Sequence, residues 1–231
     1  MDKNGSLASI RELVFGIEDS LVSTLGVVIG IAAGTADGKI VILSGIIIIV
    51  VEALSMAAGS YVSSKSHREM IEKTIAEERH EIETDPVRET EELRGMYARK
   101  GFSPDEVEIL IRRITADKEL WLEEMTLREL RIGGSELDEP GKSSWVMFVS
   151  YVGGGMIPLM PYVFLSPSRG SAVSAVITTL ALFALGYWKG KVTKNNGLKS
   201  GFEMTLICAS AAIAGYVIGK FAGAAFGISH G

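Results

Sequence analysis

The stretch Ile40–Thr84, IVILSGIIIIVVEALSMAAGSYVSSKSHREMIEKTIAEERHEIET, decides how the rest of the chain is read. Its first half is apolar enough to cross a membrane, and its second half is charged and rich in Glu. No Pro occurs in it and no Gly follows Gly59, so helix breakers are absent across the junction. The stretch predicts one continuous helix that leaves the bilayer and enters water, joining a membrane part to an acidic soluble part. Glu52 and Met56 lie one helical turn apart in the apolar half, and Glu78 and Glu81 one turn apart in the charged half. Carboxylates and a soft thioether along one rod suggest a cation path with a loading site.

The charge distribution supports this division. Residues 65–140 hold 21 of the 28 acidic residues and 13 of the 23 basic ones, a net of −8, against +3 for the remainder. An acidic centre argues against nucleic acid, whose phosphates need Lys and Arg, and suits a cation partner. The single cysteine, Cys208, excludes an internal disulfide and a Cys-based zinc site. The N-terminal apolar run lacks a basic segment followed by a small-residue cleavage site, so it reads as a retained membrane helix.

Crossing the hydrocarbon core takes about 20 mostly apolar residues. Five segments qualify: Leu13–Ala33, Ile40–Ser63, Trp145–Leu165, Ser171–Trp188 and Phe202–Gly219. The expected fold is all-α, a multi-pass membrane protein of five transmembrane helices with a helical acidic domain inserted between the second and third. The expected divisions are 1–64, 65–140 and 141–231. Lys189, Lys191, Lys194 and Lys199 concentrate in one short loop, which the positive-inside rule places in the cytosol. Counting crossings back puts the N-terminus and the acidic domain in the cytosol too, and the C-terminus outside or in a lumen.

Within the acidic domain, Thr84 or Asp85 can cap a helix with Pro86 at its first position, and Gly101 can end it after Arg99-Lys100. Ser103-Pro104-Asp105-Glu106 is a capping box, and Val107, Leu110, Ile111 and Ile114 form the apolar stripe of the next helix. A further helix is expected from about Asp117 to Ile132, stopped by Gly133-Gly134. The glycines Gly26, Gly30 and Gly34, Gly153 to Gly155, and Gly215, Gly219 and Gly223 have the spacing that lets membrane helices approach closely. Pro158 and Pro161 should kink the third span.

Asp19 and Glu52 lie inside apolar spans, where a charge costs about 2.5–3.5 kcal/mol on insertion scales and usually faces a pore or a partner. Met56 becomes a candidate soft ligand if it shares a lumen with Asp19. The acidic domain offers Glu78-x-x-Glu81 and Glu89-x-x-Glu92 on either side of the Pro86 turn, so two pairs of carboxylates can face each other in a helical hairpin. Met125 and Glu129, four apart on a later helix, could complete the set. Carboxylates that close raise one another's pKa and destabilise the domain unless a cation joins them. Glu77 and His80 have the spacing of a di-iron motif, but a second such motif is missing, and His67 and His80 read as surface residues. There is no His-Glu-x-x-His and no phosphate-binding loop, so nothing points to an enzyme or to ATP.

Three of these segments resemble the vacuolar iron transporter family. GIEDSLVSTLGVVIGIAAG, in the first span, resembles its Asp-Gly-Leu-Val segment, and EALSMAAGSYVSSKS its Ser-Met-Ala-x-Gly-x-Tyr segment. WLEEMTLREL resembles the Trp-x-x-x-Met-x-x-x-Glu-Leu segment that closes its cytosolic metal-binding domain. The resemblance implies a homodimeric exporter of cytosolic Fe²⁺, often also of Mn²⁺, exchanged for protons and without a prosthetic group. The bound and carried ion would be Fe²⁺ or a similar cation such as Mn²⁺, Zn²⁺ or Co²⁺. It makes Asp19 and Met56 the pore residues, and Glu78, Glu81, Glu89, Glu92, Met125 and Glu129 the cytosolic ligands; Glu52, a carboxylate in an apolar span, is a pore candidate on its own reading. The membrane would be vacuolar in a eukaryote and the plasma membrane in a prokaryote. Ser20 stands where the family usually has Gly, Ser60 where many members have Glu, and His80 falls within the first acidic motif. The alternative is a membrane-anchored metal buffer or sensor that binds without transport.

Overall fold

The computed structural model describes residues 3–128 and 139–226, with side chains from residue 10 to 127 and from 139 to 226. Its described elements are helices α1 (Lys3–Thr35), α2 (Gly38–Thr84), α3 (Pro86–Arg99), α4 (Pro104–Thr115), α5 (Lys118–Arg128), α6 (Pro140–Leu159), α7 (Pro161–Phe164), α8 (Pro167–Val192) and α9 (Gly197–Ala225). The expected continuity of the second span is observed: α2 is one unbroken helix of 47 residues, about 70 Å long. The chain forms two compact units, one of Ser6–Tyr61 with Pro140–Gly231 and one of Met1–Gly5 with Val62–Glu139.

The first unit carries five helical segments long and apolar enough to cross a membrane: Ile10–Thr35, the apolar part of α2, Pro140–Phe164, Pro167–Val192 and Gly197–Ala225. Many of their large apolar side chains stay exposed, among them Leu43, Ile47, Val51, Leu206, Ile213 and Phe221. That is the pattern of helices whose outer faces meet lipid. Helix α1 packs on α9 through glycines, as their spacing predicts. A Cβ added at Gly219 would stand 1.9 Å from the Gly30 carbonyl oxygen, and one at Gly215 2.0 Å from that of Gly26. Only hydrogen fits there, so the two backbones touch. The third span starts earlier than expected, at Pro140, and is split after Leu159. Pro161 has no N–H to continue the ladder and opens a separate short helix.

The second unit holds the charged part of α2 with α3, α4 and α5. Its caps follow the sequence. Asp85 accepts from the Arg88 N–H at 3.2 Å, Pro86 opens α3, and Ser103 and Glu106 close a reciprocal capping box on α4. Gly101 takes φ +91°, a turn that an L side chain would strain. The core is built from Ile82, Leu93, Tyr97, Val107, Ile111, Ile114, Trp121, Leu122 and Met125. Leu110, expected in the buried stripe, sits at its edge. The expected continuation of α5 to Ile132 and its Gly133-Gly134 stop lie outside the described residues.

Candidate functional site

In the acidic unit, helix periodicity decides which carboxylates turn inward. On α3, Glu89, Leu93 and Tyr97 are spaced four apart and form the buried face. On α2, Glu78 and Ile82 share a face in the same way, and both are buried. The tight Asp85–Pro86 turn folds α3 back beside α2, so Glu89 meets Glu78 and Glu81. One oxygen from each of Glu78, Glu81 and Glu89 lies within 4.8 Å of the others. Carboxylate oxygens that close together form a donor set for a divalent cation.

The fourth acidic residue, Glu92, does not join that triad. Three positions after Glu89, it falls on the edge of α3, and its side chain is 43% exposed. Arg88 links it to the rest. The Arg88 guanidinium donates from Nη2 to Glu81 Oε2 at 2.5 Å and to Glu89 Oε1 at 2.7 Å, and its Nε lies 3.9 Å from Glu92 Oε1. Hydrogen bonding to Glu89, then the charges of Glu81 and Glu89, hold Arg88 more firmly protonated than usual. Sequence reasoning missed this residue, because an arginine in a charged helix reads as a solvated side chain. Met125 is fully buried in the core with Ile82 and Leu93, which lie one turn beyond Glu78 and Glu89 on their helices. Glu129 lies outside the described residues. His67 and His80 are exposed, as expected of surface residues.

The apolar unit has its own polar cluster. Glu52, on α2, accepts from the Ser23 hydroxyl at 3.1 Å and, through a very short hydrogen bond, from the Tyr151 hydroxyl. Ser23 and Tyr151 lie 2.8 Å apart. Asp19 interacts with the Tyr151 hydroxyl and with the charge of Glu52. Helices α1, α2 and α6 therefore bring two carboxylates and two hydroxyls together inside the apolar unit. Such a pair needs a cation or a proton to balance its charge. Met56 stands one turn beyond Glu52, partly buried. Tyr151 and Ser23 carried no signal in the sequence, since a Tyr or a Ser in an apolar span reads as packing.

Two of the positions that depart from the family pattern, Ser20 and Ser60, have structural partners. Ser20 is fully buried, donates to the Ile17 carbonyl at 3.0 Å and packs on Gly154, where a Cβ would come within 2.1 Å of its Oγ. Ser60 donates to Glu12 Oε2 at 3.1 Å, and Glu12, itself buried, accepts from Arg11 through its other oxygen at 2.9 Å.

A family model described as the VIT family matches residues 10–220. The chain is 30% identical over 215 residues to Vacuolar iron transporter 2 of Oryza sativa subsp. japonica, covering 91% of this chain and 86% of that protein. It is 31% identical to Vacuolar iron transporter 1 of Eucalyptus grandis and 30% identical to Vacuolar iron transporter 1 of Arabidopsis thaliana, in each case over 212 residues, 91% of this chain and 85% of the relative. The match runs through both units, from the first span to the last, and the chain belongs to the VIT family.

Proposed function

We propose that this protein is a transporter, not an enzyme, that moves Fe²⁺ out of the cytosol in exchange for protons, with Mn²⁺, Co²⁺ and Zn²⁺ as further substrates. The observation that carries the reading is the cluster of Asp19, Glu52, Ser23 and Tyr151 inside an apolar unit. Carboxylates in such surroundings are costly, and a path for a cation or proton gives them a use. The names of the relatives, vacuolar iron transporters, favour iron as the ion.

In this reading the acidic unit is cytosolic and collects the ion. Glu78, Glu81 and Glu89 supply hard oxygen donors, Glu92 turns in from the edge of α3 only when an ion binds, Glu129 is a further ligand, and Met125 adds a soft thioether that favours Fe²⁺ over Mg²⁺. The ion then passes Met56 and Asp19, with Glu52 held ready by Ser23 and Tyr151. Proton binding to a carboxylate competes with metal binding, which couples the two flows. Two copies form a homodimer in the lipid bilayer, with α1 lining the path between them. The membrane is the vacuolar membrane in a eukaryotic host and the plasma membrane in a prokaryotic one.

The test is Fe²⁺ or Mn²⁺ uptake into proteoliposomes that enclose a metal-sensitive dye. Asp19→Ala and Met56→Ala should abolish flux, and Tyr151→Phe should slow it at least tenfold, while metal binding by the acidic unit persists. Metal binding by the parent protein without any flux would overturn the transport reading in favour of an anchored buffer or sensor.

A further inference from the structure

The acidic triad already contains a cation of the chain's own. Arg88 bonds Glu81 and Glu89 at 2.5 and 2.7 Å from one nitrogen, its Nε reaches Glu89 Oε1 at 3.1 Å, and Glu92 lies 3.9 Å away. It thus touches or approaches three of the four glutamates that flank the Pro86 turn. Two further features bear on what this cation does. The Glu89 side chain is 1% exposed, yet its Oε2 has no hydrogen-bond partner among the described residues, so there a buried carboxylate uses only one of its two oxygens. The Arg88 side chain is 51% exposed and rests on the outer side of the cluster. It can swing into water without disturbing the core, and its planar fork is a weaker concentration of charge than a divalent ion.

We propose that Arg88 is a tethered counter-cation that neutralises Glu81 and Glu89 and must leave their oxygens when a divalent ion binds, so that it sets how tightly the acidic unit holds metal. The proposal rests on the reading of Glu78, Glu81 and Glu89 as metal ligands. The guanidinium cannot lose its proton in water, so the exchange is a displacement and not a titration. It weakens equilibrium binding, because every metal ion that enters must break the Arg88 bonds. It also favours release, because the arginine is on hand to take the oxygens back. A loading site that passes its ion onward needs that property, whereas a storage site does not. The opposite role is a clamp that orients the carboxylates around the bound ion, and it predicts the opposite sign on removal.

The experiment titrates metal-stripped full-length protein in detergent with Mn²⁺, reading free Mn²⁺ by its paramagnetic resonance signal. Arg88→Gln should bind roughly fivefold more tightly at low salt, the scale of one partly exposed charge, and the gain should shrink as salt rises. Arg88→Lys keeps the charge without the fork and should fall between. Arg94→Gln, which removes a cation paired with Glu91 and Glu108 away from the triad, should leave affinity unchanged. A second readout uses the unaltered protein, so it stands even if a variant fails to fold. Arginine-selective labelling read by mass spectrometry should rise at Arg88 when Mn²⁺ is added and stay constant at Arg94. Equal or weaker binding by folded Arg88→Gln, or Arg88 labelling that falls or stays level while the parent binds Mn²⁺, would overturn the proposal alone. A parent protein that takes up no Mn²⁺ would overturn the site reading, and the proposal with it.

Discussion

Met125 offers a prediction in which packing and coordination separate cleanly. The side chain is 0% exposed and lies in the core with Leu93, Trp121 and Leu122, so it contributes to stability whatever else it does. Met125→Ala opens a cavity and should cost about 2–5 kcal/mol. Met125→Leu keeps the volume and should cost less than about 1.5 kcal/mol. Ion binding adds a second ledger. Metal at a hundredfold excess over Kd stabilises the bound state by about 2.7 kcal/mol, and a tenfold loss of affinity cuts that to about 1.4 kcal/mol. If the thioether is a ligand, Met125→Leu should lose roughly half of the protection that Fe²⁺ confers while keeping all that Mg²⁺ confers, since Mg²⁺ takes only oxygen. The assay is hydrogen exchange on the full chain in detergent, anaerobically, following peptides of α3 to α5 without metal, with Fe²⁺ and with Mg²⁺. A Met125→Leu protein that gains as much protection from Fe²⁺ as its parent would show that the sulfur only packs.

Two further outcomes follow from the geometry. Gly219→Ala places a Cβ 1.9 Å from the Gly30 carbonyl oxygen and should push α9 off α1 at a cost of about 1–3 kcal/mol, whereas Gly153→Ala, with nothing within 4 Å, should be tolerated; thermal inactivation in detergent, followed by size exclusion, compares them, and equal curves would contradict the helix contact. In the acidic unit, hydrogen bonds from Arg79 hold the Glu119 carboxyl below its usual range, and the Ser103 N–H does the same for Glu106. Both folded values lie below the unfolded ones. Their contribution is therefore present above the ordinary carboxyl range, near pH 4.5, and is lost as pH falls through the folded values. Protection at the start of α4 and along α5, measured relative to the intrinsic exchange rate at each pH, should fall on acidification below about pH 4.5, and protection that stays level through that range would contradict it.

The membrane helices were readable because charge is the strongest signal in an apolar run. From Ser143 to Ser168 the chain carries none, and a span there was unavoidable. Its internal break was harder to place, because Pro158 sits inside α6 without breaking it, whereas Pro161 opens a separate helix. The convergence of Glu78, Glu81 and Glu89 was legible from three-residue spacing across a Pro turn, and the exclusion of Glu92 was not. Spacing alone ranks Glu89 and Glu92 equally; burial of Leu93 and Tyr97 on the same face favours Glu89. Arg88 and Tyr151 were invisible for a shared reason. Each acts through a partner distant in sequence or around a turn, and a single side chain carries no trace of the neighbour that gives it a role.

The proposed transport route has two metal stations in one chain, the acidic triad and the carboxylate cluster among the spans. Anomalous diffraction from crystals soaked in Fe²⁺ or Mn²⁺, recorded at the metal edge, tests this most directly. The account predicts one peak within coordinating distance of Glu78, Glu81 and Glu89, with Arg88 withdrawn, and a second between Asp19 and Met56. A strong peak confined to other surface carboxylates, with neither station occupied at saturating metal, would contradict it.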